Sequence, residues 1–271
     1  MPAPKAPHLL IELVVCAAAC ASVGCEPDLV VGSWGCLDAV RCQADRTGCS
    51  TAYVGPLTVP WSTDFEEGLC DYARVKGYCY AEDRASYELV SSPVHGGEWA
   101  MAFTVDTTEG SSHTRCVVEG QFPSSGYYSA WYLLPDVPIN SGNWNLVHFQ
   151  GGTLPSLPSL HNLLDVSVES TEELDPRLYL FNFVGDGITR ATDPPLIPIG
   201  DWFHIEIYWK RAADMTGEVA LYQDGDLMLE LTDVPTDDTD WAQLYVGNLA
   251  TNLMPRVSTV YVDDVEIRET R

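Results

Sequence analysis

The chain reads as all-β, a two-sheet antiparallel jelly-roll sandwich, and three observations predict it. Apolar and polar residues alternate over runs of four to nine residues, Gly, Pro, Ser and Asn break those runs, and no stretch carries a long apolar repeat of helical period. Alternation means that each strand buries one face. Roughly a dozen half-buried strands can close a core only by stacking as two sheets. With 271 residues, 46% hydrophobic and 10% aromatic, the chain has material for one main core and a short extra segment.

Charge limits the partners. Lys and Arg number 14 against 39 Asp and Glu, a net charge of −25. Such a surface repels nucleic acid and anionic lipid. It also disfavours polyanionic glycans in bulk, unless a local cationic cleft or a bound cation intervenes.

The first 25 residues have the layout of an export signal: Lys5, a mostly apolar run over 9–21, and Ala21-Ser22-Val23-Gly24-Cys25. Glu12 interrupts a stretch that is in any case short for a membrane span. The segment resembles a bacterial lipoprotein signal, with Cys25 as the lipidated residue and Cys20 as a competing cleavage point; an ordinary cleaved signal is the plainer alternative. The resemblance implies an exported monomer anchored by lipid in the cell envelope, on the outer membrane or facing the periplasm, and otherwise secreted. Of the nine cysteines, cleavage before Cys25 leaves Cys36, Cys42, Cys49, Cys70, Cys79 and Cys116, an even set suited to disulfides in an oxidising compartment. Their pairing is open, and no C-x-x-C spacing points to zinc or redox chemistry. Residues 26–60 read either as a disulfide-tied spacer or as a small cap on the domain that starts at Trp61.

From Trp61 onward the strands are expected, in order, at 86–92, 98–106, 113–120, 126–134, 143–150, 163–169, 177–184, 202–210, 218–223, 227–231, 243–247 and 258–268. In the 202–210 run, Phe203, Ile205, Ile207 and Trp209 face the core, leaving His204, Glu206, Tyr208 and Lys210 outside. Asp224-Gly225 supplies the tight hairpin that follows. In the 113–120 run, His113, Arg115 and Glu119 share a face opposite Thr114, Cys116 and Val118. In the 143–150 run, His148 and Gln150 share one opposite Val147 and Phe149.

The motifs W-F-H-I-E-I-Y-W-K, G-E-V-A-L-Y-Q-D-G and V-Y-V-D-D-V-E-I, preceded by S-A-W-Y-L-L-P and N-L-V-H-F-Q-G-G, resemble concanavalin A-like jelly rolls over about residues 61–271. The likeness is greatest to laminin-G-like and polysaccharide-lyase-like members. It implies a polysaccharide or glycoconjugate partner on a concave sheet, which eight Trp and thirteen Tyr are suited to line. It further implies substrate binding by Arg115, Glu119, Gln150 and His113. If the chain is a lyase, His148 takes a proton next to a uronate carboxylate and Tyr132, Tyr128 or Tyr208 serves as acid. The order His148-Phe149-Gln150 reverses the Gln-first order usual in such lyases.

Two carboxylate patterns remain. Asp165-Val166-Ser167-Val168-Glu169 is a degraded form of the E-x-D-x-E strand of retaining glucanases, so hydrolysis is disfavoured. Asp64 and Glu66 on the first strand, with Asp263 and Asp264 on the last, form a candidate structural Ca²⁺ site if those strands are neighbours; otherwise they solvate an outer strand. No zincin, serine-hydrolase, phosphate-loop or complete EF-hand motif is present. The leading reading is a surface lipoprotein that binds a glycan. The alternatives are a polysaccharide lyase acting by β-elimination and a structural or adhesive envelope protein.

Overall fold

The alternation resolves into two stacked antiparallel sheets in the computed structural model. It describes residue 49 and residues 55–271 apart from 76, 83, 153–160, 171–174, 186, 238 and 240. The first sheet runs β14 (Asp226–Val234), β13 (Gly217–Gln223), β12 (Trp202–Lys210), β6 (Ser125–Leu133), β17 (Val257–Arg268), β4 (Ala100–Asp106) and β3 (Ser86–Val90). A short β1 (Trp61–Thr63) also pairs with β17. The second sheet runs β11 (Gly187–Thr189), β10 (Arg177–Asn182), β9 (His161–Glu169), β8 (Trp144–Gly152), β15 (Trp241–Ala250), β5 (Ser112–Gly120) and β2 (Tyr78–Glu82). A minor pair, β7 (Ile139–Asn140) with β16 (Leu253–Met254), and a helix α1 (Cys70–Arg74) complete the described elements.

The faces follow the alternation. Phe203, Ile205, Ile207 and Trp209 of β12 are buried in the core, where the Trp209 ring meets Phe149 of β8 across the sandwich at 4.8 Å. Each such fully buried side chain contributes about 1.5–3 kcal/mol. The Asp224-Gly225 turn joins Gln223 to its cross-strand partner Asp226, and both turn residues have positive φ (54° and 87°), as a two-residue hairpin of right-handed twist requires.

Helix α1 departs from the all-strand expectation. Its five residues are too few for a helical period to register, and its place is fixed by other means: Cys70 is bonded to Cys49, and Tyr72 packs edge-on against Trp61. Strands β1, β2, β7, β11 and β16, of two to five residues, also lie outside the expected runs. Cys79 on β2 is bonded to Cys116 on β5, directly opposite in register. Closing loops of 21 and 37 residues, the two disulfides each restrict the unfolded chain by about 3–4 kcal/mol in the chain-entropy account. They fit an oxidising, exported setting. Cys25, Cys36, Cys42, the signal and most of the 26–60 segment lie outside the described residues. Among the described residues no helix is long and apolar enough to cross a membrane.

Candidate active site on the second sheet

The outward face of the second sheet is polar yet sunk among its neighbours. Register places Tyr78, Val117, Tyr245, His148, Asp165 and Phe181 in one row across β2, β5, β15, β8, β9 and β10. The adjacent row holds Tyr80, Arg115 and Gly247, then Asn145, Ser167 and Tyr179 beyond an irregularity in register. Arg115 and His148 are each only 5% exposed although their strands turn them away from the core.

Arg115 reaches across β15 to Asn145, donating from Nη2 to Oδ1 at 2.6 Å. Gly247 makes this possible. It is Arg115's cross-strand partner and has φ of +147°; a Cβ there would lie 2.4 Å from the Thr114 carbonyl oxygen and 2.8 Å from the Arg115 Cα. The guanidinium also lies 5.5 Å from the Tyr245 ring centre. Asn145 is held in turn by donating from Nδ2 to the Val147 carbonyl at 3.0 Å.

His148 Nδ1 is hydrogen-bonded to Asp165 Oδ1 on the neighbouring strand, and its ring lies 5.2 Å from that of Tyr245. Burial lowers the His148 pKa from its ordinary value against the opposing pull of Asp165, with Arg115 adding to the lowering, which favours the neutral imidazole. The Tyr245 hydroxyl sits between Gln150 Oε1 (2.8 Å) and Gln243 Oε1, donating to one at a time. Gln243 Nε2 donates to Glu119 Oε2 at 2.8 Å and Gln150 Nε2 to Asn162 Oδ1 at 3.1 Å, so a chain of hydrogen bonds spans four strands. Burial pushes the Tyr245 pKa well up, which keeps the phenol protonated. Arg115, Glu119, His148 and Gln150, placed on one face by alternation, thus share a single site. His113 lies further along β5, its Nε2 3.3 Å from Glu82 Oε2.

The tyrosines are corrected. Tyr132 and Tyr128 belong to β6 of the first sheet and point into the core; Tyr132 is fully buried and donates to the Leu146 carbonyl at 3.2 Å. Tyr208 lies on the outer face of that other sheet, beside Tyr127. None of the three reaches His148's face. Alternation within β6 gives in or out but not which sheet the strand joins. The tyrosine beside His148 is Tyr245, and Gln243-Leu244-Tyr245-Val246 carries the signal for its face, with two polar side chains opposite two apolar ones. Of the two carboxylates of the degraded E-x-D-x-E pattern, Asp165 is hydrogen-bonded to His148 and Glu169 accepts from Arg190 at 2.8 Å.

The carboxylates proposed for Ca²⁺ do flank paired strands, since β1 pairs with β17. They are occupied by protein donors. Asp263 Oδ2 accepts from the His95 and Gly96 amides (3.0 and 3.2 Å), Glu66 Oε1 from the Glu98 and Trp99 amides (2.7 and 2.9 Å), and Asp64 Oδ1 from the Glu66 amide (3.2 Å). Asp264 Oδ2 lies 2.6 Å from His95 Nδ1. Among the described residues no three His, Cys, Asp or Glu side chains group as a metal site.

No family model matches the chain, and no curated protein matches it in sequence. Solved structures do. An endo-β-1,4-glucuronan lyase from the fungus Trichoderma reesei is similar with a TM-score of 0.56 at 20% identity, covering 70% of this chain and 90% of that one. The cellulose-induced protein Cip1 gives 0.54 at 17%, covering 78% and 97%. A mutant of the alginate lyase Aly36B in complex with an alginate trisaccharide gives 0.50 at 14%, covering 78% and 98%. At such identities the likeness is one of fold: the chain has the two-sheet antiparallel jelly-roll fold that these structures share.

Proposed function

We propose that the protein binds a uronate-containing polysaccharide on the outer face of the second sheet and cleaves it by β-elimination. The observation that carries this reading is the convergence of Arg115, Asn145, His148 and Tyr245 on one buried patch, with His148 tethered at Nδ1 by Asp165. The names of the similar structures, two of them lyases of uronate polymers, support it.

The roles follow from chemistry. Arg115 and the Asn145 amide face the uronate carboxylate and stabilise the charge that builds on it as the C5 proton leaves. The Asp165 bond leaves His148 Nε2 as the nitrogen that takes that proton, and a neutral imidazole is the competent form. The C4–O bond breaks, a C4=C5 double bond forms, and the departing glycosidic oxygen takes the Tyr245 hydroxyl proton. Glycan retention without cleavage needs neither a tethered imidazole nor a protonated phenol beside it, which is why this reading stands ahead of a pure binding module. Anchoring through Cys25 and a Ca²⁺ requirement at Asp64, Glu66, Asp263 and Asp264 remain separate proposals.

The test is the chemistry of the product. The full chain is incubated with glucuronate- and mannuronate-containing glycans, with and without Ca²⁺, while unsaturated uronate is followed by ultraviolet absorbance and reducing ends are counted. New reducing ends matched by new absorbance support elimination; reducing ends without absorbance mean hydrolysis and contradict it.

A further inference from the structure

We infer, on the lyase reading, that the preferred substrate is a heteropolysaccharide in which single uronates are separated by neutral sugars, rather than a continuous polyuronate. The face holds one cation poised for an anion, flanked by carboxylates and aromatic rings. Its carboxylates Glu82, Glu119, Asp165 and Glu169 outnumber its arginines Arg115, Arg177 and Arg190.

Those arginines are not equivalent. Arg190 donates to Glu169 at 2.8 Å and packs over the Tyr179 ring; Arg177 donates to the Pro194 carbonyl at 2.6 Å, with Asp175 3.7 Å away. Arg115 alone among them is held by a neutral amide, that of Asn145, while 95% of it is withdrawn from solvent. A buried guanidinium without a carboxylate is costly, and a ligand carboxylate relieves that cost. One such group accommodates one uronate.

On either side the sheet offers rings. Tyr78 and Tyr80 on β2 have centroids 5.8 Å apart, and Phe181 on β10 lies 4.3 Å from Phe183, with Tyr179 in the adjacent row. Strands β2 and β10 are separated by about 24 Å at the usual strand spacing of ~4.8 Å. A glycan lying across the strands therefore meets aromatic faces, then Arg115, then aromatic faces again, and flat apolar rings favour uncharged sugars. A uronate at every position would meet the field of a chain carrying −25, while Arg177 and Arg190 are already engaged by groups of the protein.

The experiment compares the full chain on polyglucuronate, on alginate, and on a polysaccharide with glucuronate flanked by neutral sugars, at low and high salt, and repeats it with Glu82→Gln/Glu119→Gln. The expected result is kcat/KM about tenfold or more higher on the heteropolysaccharide at low salt, a gap that narrows when salt screens the repulsion or when the two carboxylates are removed. Equal or faster elimination on the polyuronates overturns the inference while leaving the lyase reading intact. If no glycan yields unsaturated product, the lyase reading fails. Retention on the same immobilised glycans then decides the preference: retention of polyuronate equal to or above that of the heteropolysaccharide overturns it, and the reverse upholds it.

Discussion

The outer faces of the two sheets are built from similar residues and differ in how their charges are resolved. On the first sheet, Glu206 of β12 is buried and receives Arg268 (2.5 Å) and Arg271 (2.9 Å); Lys210 pairs with Glu218 at 2.6 Å, and His95, stacked on Trp131 at 3.8 Å, pairs with Asp264. On the second sheet Arg115 is hydrogen-bonded to an amide and lies against the Tyr245 ring with no carboxylate of the described residues on it, and burial lowers the His148 pKa. A face whose charges are internally balanced stabilises the fold. A face that leaves a buried cation to an amide is organised for something that arrives.

The first way to break this comparison is His148→Ala set against His204→Ala, the equivalent change on the first sheet. The former should lower turnover by about 10²–10⁴-fold with glycan retention kept, and the latter should leave turnover unchanged; rates of absorbance change for the two variants decide it. Next in size, Arg115→Ala should reduce kcat/KM by about 10²-fold or more, and Arg115→Lys should rescue little, because an ammonium lacks the planar fork that spans Gly247 to reach Asn145.

Asp165→Asn sharpens the assignment of a positioning role. Asp165 raises the His148 pKa, so removing its charge lets burial lower that pKa further. The acidic limb of the kcat/KM profile, which should already lie below about 6.5, moves to still lower pH, and the rate falls by about tenfold or more as the ring loses its orientation. The same depression has a stability consequence. A histidine whose folded pKa lies below its unfolded value of about 6.5 contributes stability that is present above that pH and lost as pH falls through the folded value. Denaturant midpoints of wild type and His148→Gln should therefore converge in acid. The smallest effect is expected on the first sheet: Glu206→Gln should cost about 1–2 kcal/mol, since its arginine partners are partly exposed, and should leave turnover untouched.

Much of this was legible in the sequence. Period-two alternation located the long strands and separated His113, Arg115 and Glu119 from Thr114, Cys116 and Val118, and Asp-Gly named its hairpin. What alternation cannot carry is the partner. Tyr245 and Gln150 are 95 residues apart and meet only because β15 inserts between β5 and β8, whereas Tyr132, nearer in sequence to His148, went to the other sheet. Asp165 belongs to a degraded hydrolase motif within its own strand, and its partner comes from β8 beside it. Gly247 carries no chemistry and was invisible until the path of Arg115 across it was known.

The central claim is that His148 removes a proton rather than merely touching sugar. The most direct measurement is the solvent-deuterium content at C5 of glucuronate-bearing oligosaccharide recovered unreacted from Tyr245→Phe, alongside the same variant carrying His148→Ala. With the acid removed and the base intact, deuterium should enter C5 without chain cleavage, and it should vanish when His148 is replaced. Deuterium uptake that survives His148→Ala would contradict the account.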